Sequence, residues 1–223
     1  KYLQSFPGAF EPLSDSIDMS VFAPYKVAAA SYDGKSYSVP FDSGVTGLFY
    51  RSDYLEEAGF TAQDLENITW DRLIEIGTAV KEKTGKPLLD LDLNDTGVIR
   101  MMMQSAGEWY FNEDGSLNIL ENAPLRKALE TYAKFYQADL VKPVSGWAEY
   151  TGAFTSGEVA VVPVGVWITA TIKANADQSG LWGVAPIPRL DIEGSVNASN
   201  QGGSSWFVLS SSDNKEETID FLK

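Results

Sequence analysis

Short runs of β-branched and aromatic residues alternate with amphipathic segments along this chain, and that alternation limits the fold more than any other feature. Thr46–Arg51 (TGLFYR) reads as a buried strand feeding a short helix that starts at Ser52 as N-cap and stops at Gly59. Thr69 caps a longer helix with Leu73, Ile76 and Val80 on one face, Asp71 near its positive end, and Gly85 and Pro87 as its stop. An apolar strand over 87–93 follows, then a helical stretch beginning near Thr96 and a turn at Asn112–Ser116. Asn122 caps a second strong helix to about Ala138, for which the spacing predicts a buried stripe of Leu125, Leu129, Tyr132 and Tyr136. A short helix ending at Gly157, a strand over 159–164, a helix from about Val166 and a strand over 181–188 complete the series. Strands interleaved with helices predict an α/β domain with a largely parallel sheet.

The ends are less regular. Residues 1–30 are loop-rich, with Pro7, Pro12 and Pro24, before a turn at Asp33-Gly34 leads to a strand over 36–39 that Pro40 ends. At the far end, the polar stretch 191–205 precedes a strand WFVLS and a last helix with Ser212 as its expected cap. That polar stretch and Asp42-Ser43-Gly44 are the two linker candidates.

Composition removes several classes of function. The 223 residues contain no cysteine and no histidine, so zinc sites built on those ligands, cysteine nucleophiles and Ser-His-Asp triads are excluded. Seventeen Lys+Arg against 31 Asp+Glu give a formal charge of -14, a field that repels nucleic acid and anionic lipid and best suits a neutral ligand. The longest apolar run, 159–166, is broken by Pro163 and is far below the ~20 residues a membrane-spanning helix needs. No metal or cofactor is expected. Asp90–Asp95 (DLDLND) lacks the glycine spacing of an EF-hand loop and reads as a strand-to-loop turn. Gly202-Gly203 lacks the lysine and spacing of a phosphate loop and reads as a bend or a close backbone approach. Paired carboxylates for glycoside hydrolysis cannot be singled out among so many acids.

The aromatics say more. Trp70 is expected to pack on its own helix and Trp182 to lie in the core, whereas Trp109, Trp147, Trp167 and Trp206 fall at ends or junctions of elements. In open α/β sheets ligands bind beyond the carboxyl ends of strands, where such junctions gather. A flat aromatic face there suits the apolar C–H face of a sugar ring, although any one of these rings read alone also fits a core position.

Four segments in order then resemble a known family. They are YDGKSYSVPFDSGVTGLFYRSDYLEEAGF, TWDRL, AFTSGEVAVVPVGVW and NQGGSSWFVLSSSDNKEETIDFLK, spanning about Tyr32 to Lys223. Together they resemble the extracellular solute-binding proteins of ABC sugar importers, the maltose-binding-protein-like family 1. Arg51-Ser52, Arg72 and Val161 depart from its pattern without touching positions expected to carry ligand chemistry. The resemblance implies a two-lobe, type II periplasmic-binding-protein-like α/β fold. Residues 1–40 would be a remnant of lobe one with the first hinge strand, 41–200 lobe two, and 201–223 the return crossing, in a truncated chain. It also implies a non-enzymatic, monomeric, extracytoplasmic receptor, periplasmic or lipid-anchored, that hands a sugar to ABC permease subunits. By the same resemblance Trp167 is the first stacking platform and Trp147 a second. Asp42, Ser43 and Gly44 lie at the entry to lobe two and Gly202 and Gly203 at the return crossing, with Trp109, Glu108 and Trp206 as further candidates. A polyamine held by cation–π attraction, or a carboxylate-dependent glycosidase, are the alternatives.

Overall fold

The computed structural model describes residues 2–6 and 8–223, so Lys1 and Pro7 of the loop-rich start lie outside the described residues. Nine strands are present among them: β1 (Ser31–Tyr32), β2 (Lys35–Ser36), β3 (Ser38–Pro40), β4 (Thr46–Arg51), β5 (Leu89–Asp92), β6 (Val141–Val144), β7 (Val161–Gly165), β8 (Trp182–Ala185) and β9 (Ser205–Phe207). The α-helices are α1 (Tyr2–Ser5), α2 (Pro24–Ala30), α3 (Ser52–Glu57), α4 (Trp70–Thr84), α5 (Gly97–Ser105), α6 (Ala123–Gln137), α7 (Gly146–Thr155), α8 (Thr169–Lys173) and α9 (Lys215–Leu222). The chain divides into two compact units, Lys1–Ser43 with Gly202–Lys223, and Gly44–Gln201.

In the smaller unit, Asp33 and Gly34 take positive φ and close the β1–β2 hairpin, as that dipeptide predicts. β3 pairs antiparallel with β9, and Leu13, Ile17, Val39 and Val208 form a small apolar centre. β9 is shorter than the predicted WFVLS run. The last helix starts at Lys215, so Ser212 is not its cap; its hydroxyl accepts from the Asn214 N–H in the preceding turn.

In the larger unit, β4 lies between β7 and β8 and is antiparallel to both, while β5 and β6 form a parallel pair. The expectation of a largely parallel sheet is therefore corrected. Strand–helix alternation makes neighbours parallel when consecutive strands sit side by side through a crossover, as β5 and β6 do across α5 and α6. β4 instead pairs with strands from much later in the chain, so local alternation does not set their direction. All of β4 and β7 is buried.

Helix signals fare better. The Thr69 and Asn122 side chains accept from the N–H groups of Arg72 and Leu125, capping α4 and α6. Leu73, Ile76 and Val80 are buried on α4. On α6 the buried stripe is Leu125, Ala128, Thr131 and Phe135, whereas Leu129 and Tyr136 are exposed. Phe135 wins the inward position because its ring meets Trp70 edge-on at 6.1 Å. Trp70 thus packs against α6, in one core cluster with Leu73 and Ile76 of its own helix. Trp182 is half-buried, edge-on to Phe154, with Nε1 donating to Gln178. Ser52 is not the N-cap of α3; β4 runs directly into it through Arg51, and the Ser52 hydroxyl donates to the Leu181 carbonyl. The unit boundary at Gln201–Gly202 falls within the polar stretch 191–205, and the part before it is held in the larger unit. The Asn197 amide donates to the carbonyls of Ile68 and Ile187, and Ser199 donates to Gln104.

Candidate functional site

The carboxyl end of the parallel pair is where this unit opens. β5 ends at Asp92 and β6 at Val144, and beyond them lies a cavity of about 290 Å³. That is the small end of the ~300–1,000 Å³ typical of ligand pockets, matching the position open α/β sheets favour. Trp147, Tyr150 and Trp167 line one wall; Asp90, Asp92, Asp95 and Gln201 supply polar groups.

The two tryptophans reach one wall from different elements. After β6, Gly146 takes a φ of +78° and opens α7, and its N–H donates to the Asp92 carboxylate at 3.0 Å. Asp92 also accepts from Asn94, so one side chain ties the turn after β5 to the start of the helix. These bonds, the Asn94 N–H first, hold its carboxyl below the usual range. Trp147 is the second residue of α7, and Tyr150 lies one turn on with its ring 5.9 Å away.

Trp167 arrives on the short turn after β7. Its Nε1 donates to the Gln201 carbonyl at 2.9 Å, while the Gln201 side chain accepts from the Gly165 N–H at 3.2 Å. A Cβ on Gly165 would stand 2.2 Å from Trp167 Nε1 and 2.6 Å from the Gln201 carbonyl, so only glycine permits this seat. The rings of Trp147 and Trp167 lie 5.8 Å apart at 36°, and both are exposed. Adjacent, partly exposed indoles, one of them held by the hydrogen bond from Nε1, offer an apolar face to a ligand.

Asp90 lies at the floor. The residue is 2% exposed and neither carboxyl oxygen has a hydrogen-bond partner. Burial pushes its pKa up from 3.8 to about 7, only partly opposed by the charge of Lys142. The Tyr150 hydroxyl is likewise pushed up, by burial first and then by the nearby Asp90 and Asp95 charges. No group of three or more acidic side chains among the described residues is placed to hold a metal ion.

Of the residues singled out in the sequence, Trp147 and Trp167 come together here. Gly44 belongs to the same unit and its carbonyl accepts from the Gln201 N–H. Trp109 and Glu108 do not line the cavity: Trp109 packs on Tyr110, and Glu108 accepts from Asn118. Asp42, Ser43, Gly202, Gly203 and Trp206 lie in the smaller unit. There Asp42 accepts from the N–H and hydroxyl of Ser204, Ser43 shares a hydrogen bond with the Tyr25 hydroxyl, and Trp206 meets Phe41 edge-on. Gly202 and Gly203 both take a φ of +99°. Asp90, Asp92, Asp95, Tyr150 and Gln201 also line the cavity; the sequence reading weighs Asp90–Asp95 only for calcium and proposes none of the five as a ligand-binding residue. The signal for the acids is the aspartate-rich run Asp90–Asp95, with Leu89 and Leu91 alternating with Asp90 and Asp92 at the end of a strand; Tyr150 and Gln201 carry none.

This is the fold of the two-lobe α/β binding proteins. The binding protein associated with an ABC transporter of B. animalis subsp. lactis Bl-04, solved with β-1,6-galactobiose, matches at a TM-score of 0.83 with 22% identity, over 99% of this chain and 55% of its own. The chain belongs to the bacterial extracellular solute-binding proteins, whose family model matches residues 3–223. A lactose-binding protein of Rhizobium radiobacter is 59% identical over 222 residues, which is all of this chain and 53% of the relative. An arabinooligosaccharide-binding protein of Halalkalibacterium halodurans is 25% identical, over 99% of this chain and 50% of its own. The chain thus spans about half the length of the curated relatives it matches.

Proposed function

We propose that this chain is part of an extracytoplasmic sugar receptor that delivers a disaccharide or short oligosaccharide to an ABC permease. The observation that carries the reading is the exposed Trp147–Trp167 wall beside a polar, acid-lined floor in one cavity. A pyranose ring needs both: aromatic surface for its C–H face and hydrogen-bonding groups at its edge. Lactose is the first ligand to test, because the 59% identical relative is a lactose-binding protein. The relatives named above bind sugars, so neither the polyamine nor the glycosidase alternative is favoured.

In this reading residues 41–200 are essentially lobe two, and the chain passes between lobes near Ser43-Gly44 and Gln201-Gly202, where the unit boundaries fall. Closure about those crossings buries the ligand, and the interactions it makes only in the closed state shift the equilibrium that way. Asp42, Ser43, Gly202, Gly203 and Trp206 are proposed to contribute from the other side. The protein is monomeric and lies outside the cytoplasmic membrane, periplasmic or lipid-anchored.

A tryptophan-fluorescence titration of the full-length protein against lactose, β-1,6-galactobiose, arabino-oligosaccharides and a polyamine tests this. Saturable binding of a sugar is expected; a response to the polyamine alone refutes it.

A further inference from the structure

A buried carboxyl with no partner is costly to keep, and Asp90 is placed where a ligand can supply the partner. It lines the same cavity as Trp147, Tyr150 and Trp167, from β5. Both of its oxygens lack any hydrogen bond, although most buried polar groups in proteins have one. An apolar residue would fill the space without that penalty, so packing alone does not account for an acid here.

We propose that Asp90 determines specificity in this pocket by accepting a hydrogen bond from a hydroxyl of the sugar ring stacked on Trp147 and Trp167. The proposal rests on the sugar-receptor reading above and adds a selection rule to it. A site with a buried acceptor rejects an analogue that lacks the donor, because the acceptor is then sealed in unpaired. A hydroxyl donating to a carboxylate forms a stronger bond than one to a neutral acid, so binding draws Asp90 toward its ionised form.

The charged groups packed around Asp90 are engaged with other partners. Lys142 on β6 is paired with Glu158, Asp92 is held below the usual carboxylate range, and Asp95 is bonded to Arg100 of α5. Glu149 on α7 accepts from the Ser145 N–H, Tyr150 is shifted further upward, and β7 contributes no ionisable side chain. Burial brings Asp90 itself to about 7.

The test uses calorimetry on the full-length protein with lactose and its singly deoxygenated analogues, from pH 5.5 to 8.5. Wild type should bind at least one analogue about ten- to a hundredfold more weakly than lactose. Its lactose affinity should rise with pH through the neutral range, with net proton release near pH 7. Asp90→Leu should lose discrimination against that same analogue, and Asp90→Asn, which keeps the shape, should bind with a flat pH profile and no proton release. If wild type binds lactose while both variants retain its analogue preferences and pH profile, Asp90 has no such role. If wild type binds none of the sugars, the receptor reading itself falls and this proposal with it.

Discussion

Replacing Asp90 by asparagine should stabilise the protein at neutral and alkaline pH and have little effect in acid. Burial carries the carboxyl from 3.8 to about 7, a rise of roughly 3 units. Between those values the unfolded chain has released the proton and the folded chain still holds it, so the folded state binds more protons and stability falls as pH rises. Each unit is worth about 1.36 kcal/mol, which sums to about 4 kcal/mol lost by pH 7 and no further loss above it. Asparagine has no proton to lose and nearly the same shape. The variant minus wild-type difference should therefore be near zero at pH 4, grow through pH 5 and 6, and level off above pH 7 at about 2–4 kcal/mol, the upper value being the full linkage term. Urea unfolding of both proteins at fixed pH intervals reads the difference as a shift in midpoint at unchanged slope. Parallel midpoint curves across this range would show that Asp90 is already ionised in the fold, and the reasoning from burial would be wrong.

Gly165→Ala should displace Trp167, since the added methyl has no room beside Nε1 and the Gln201 carbonyl; about 1–3 kcal/mol of stability and most of the sugar affinity should be lost together, read by thermal unfolding and titration. Asn122→Ala removes the cap of α6 and two amide bonds to the carbonyls of Trp109 and Asn118, and should cost about 1–2 kcal/mol in urea unfolding with sugar affinity unchanged. Phe135→Ala leaves Trp70 without its edge-on partner in the core, and a loss of about 3–5 kcal/mol by the same assay is expected.

The elements legible in the sequence are those whose cause is local. A six-residue run of buried strand at β4, threonine and asparagine caps at Thr69 and Asn122, and the Asp33-Gly34 turn each carry their signal within a few residues. Strand direction is not legible, because β4 finds its partners in β7 and β8 across more than a hundred residues. β6 escapes such a reading for a different reason. Val-Lys-Pro-Val is four residues long, and Pro143 lacks an N–H, which a strand tolerates when only one neighbour is paired to it. Beyond Leu125, the buried face of α6 is displaced by one position from the stripe that periodicity predicts, with Phe135 set inward against Trp70 of α4. At the site, tryptophans at element junctions are visible as candidates, and Trp147 and Trp167 meet. Asp90 is not visible as one: the sequence holds 31 acids, and only the fold shows which of them is sealed without a partner.

The central claim is that the indole wall of Trp147 and Trp167 faces a sugar. It is tested most directly by titrating the full-length protein and its Trp167→Ala variant with lactose under one set of conditions, following binding by calorimetry so that loss of the fluorophore does not obscure it. Trp167 is 41% exposed, so the variant should keep its fold while its affinity falls at least tenfold, about the scale of one lost aromatic stacking face. Undiminished affinity in a folded Trp167→Ala protein would contradict the account and return this side chain to a purely structural role.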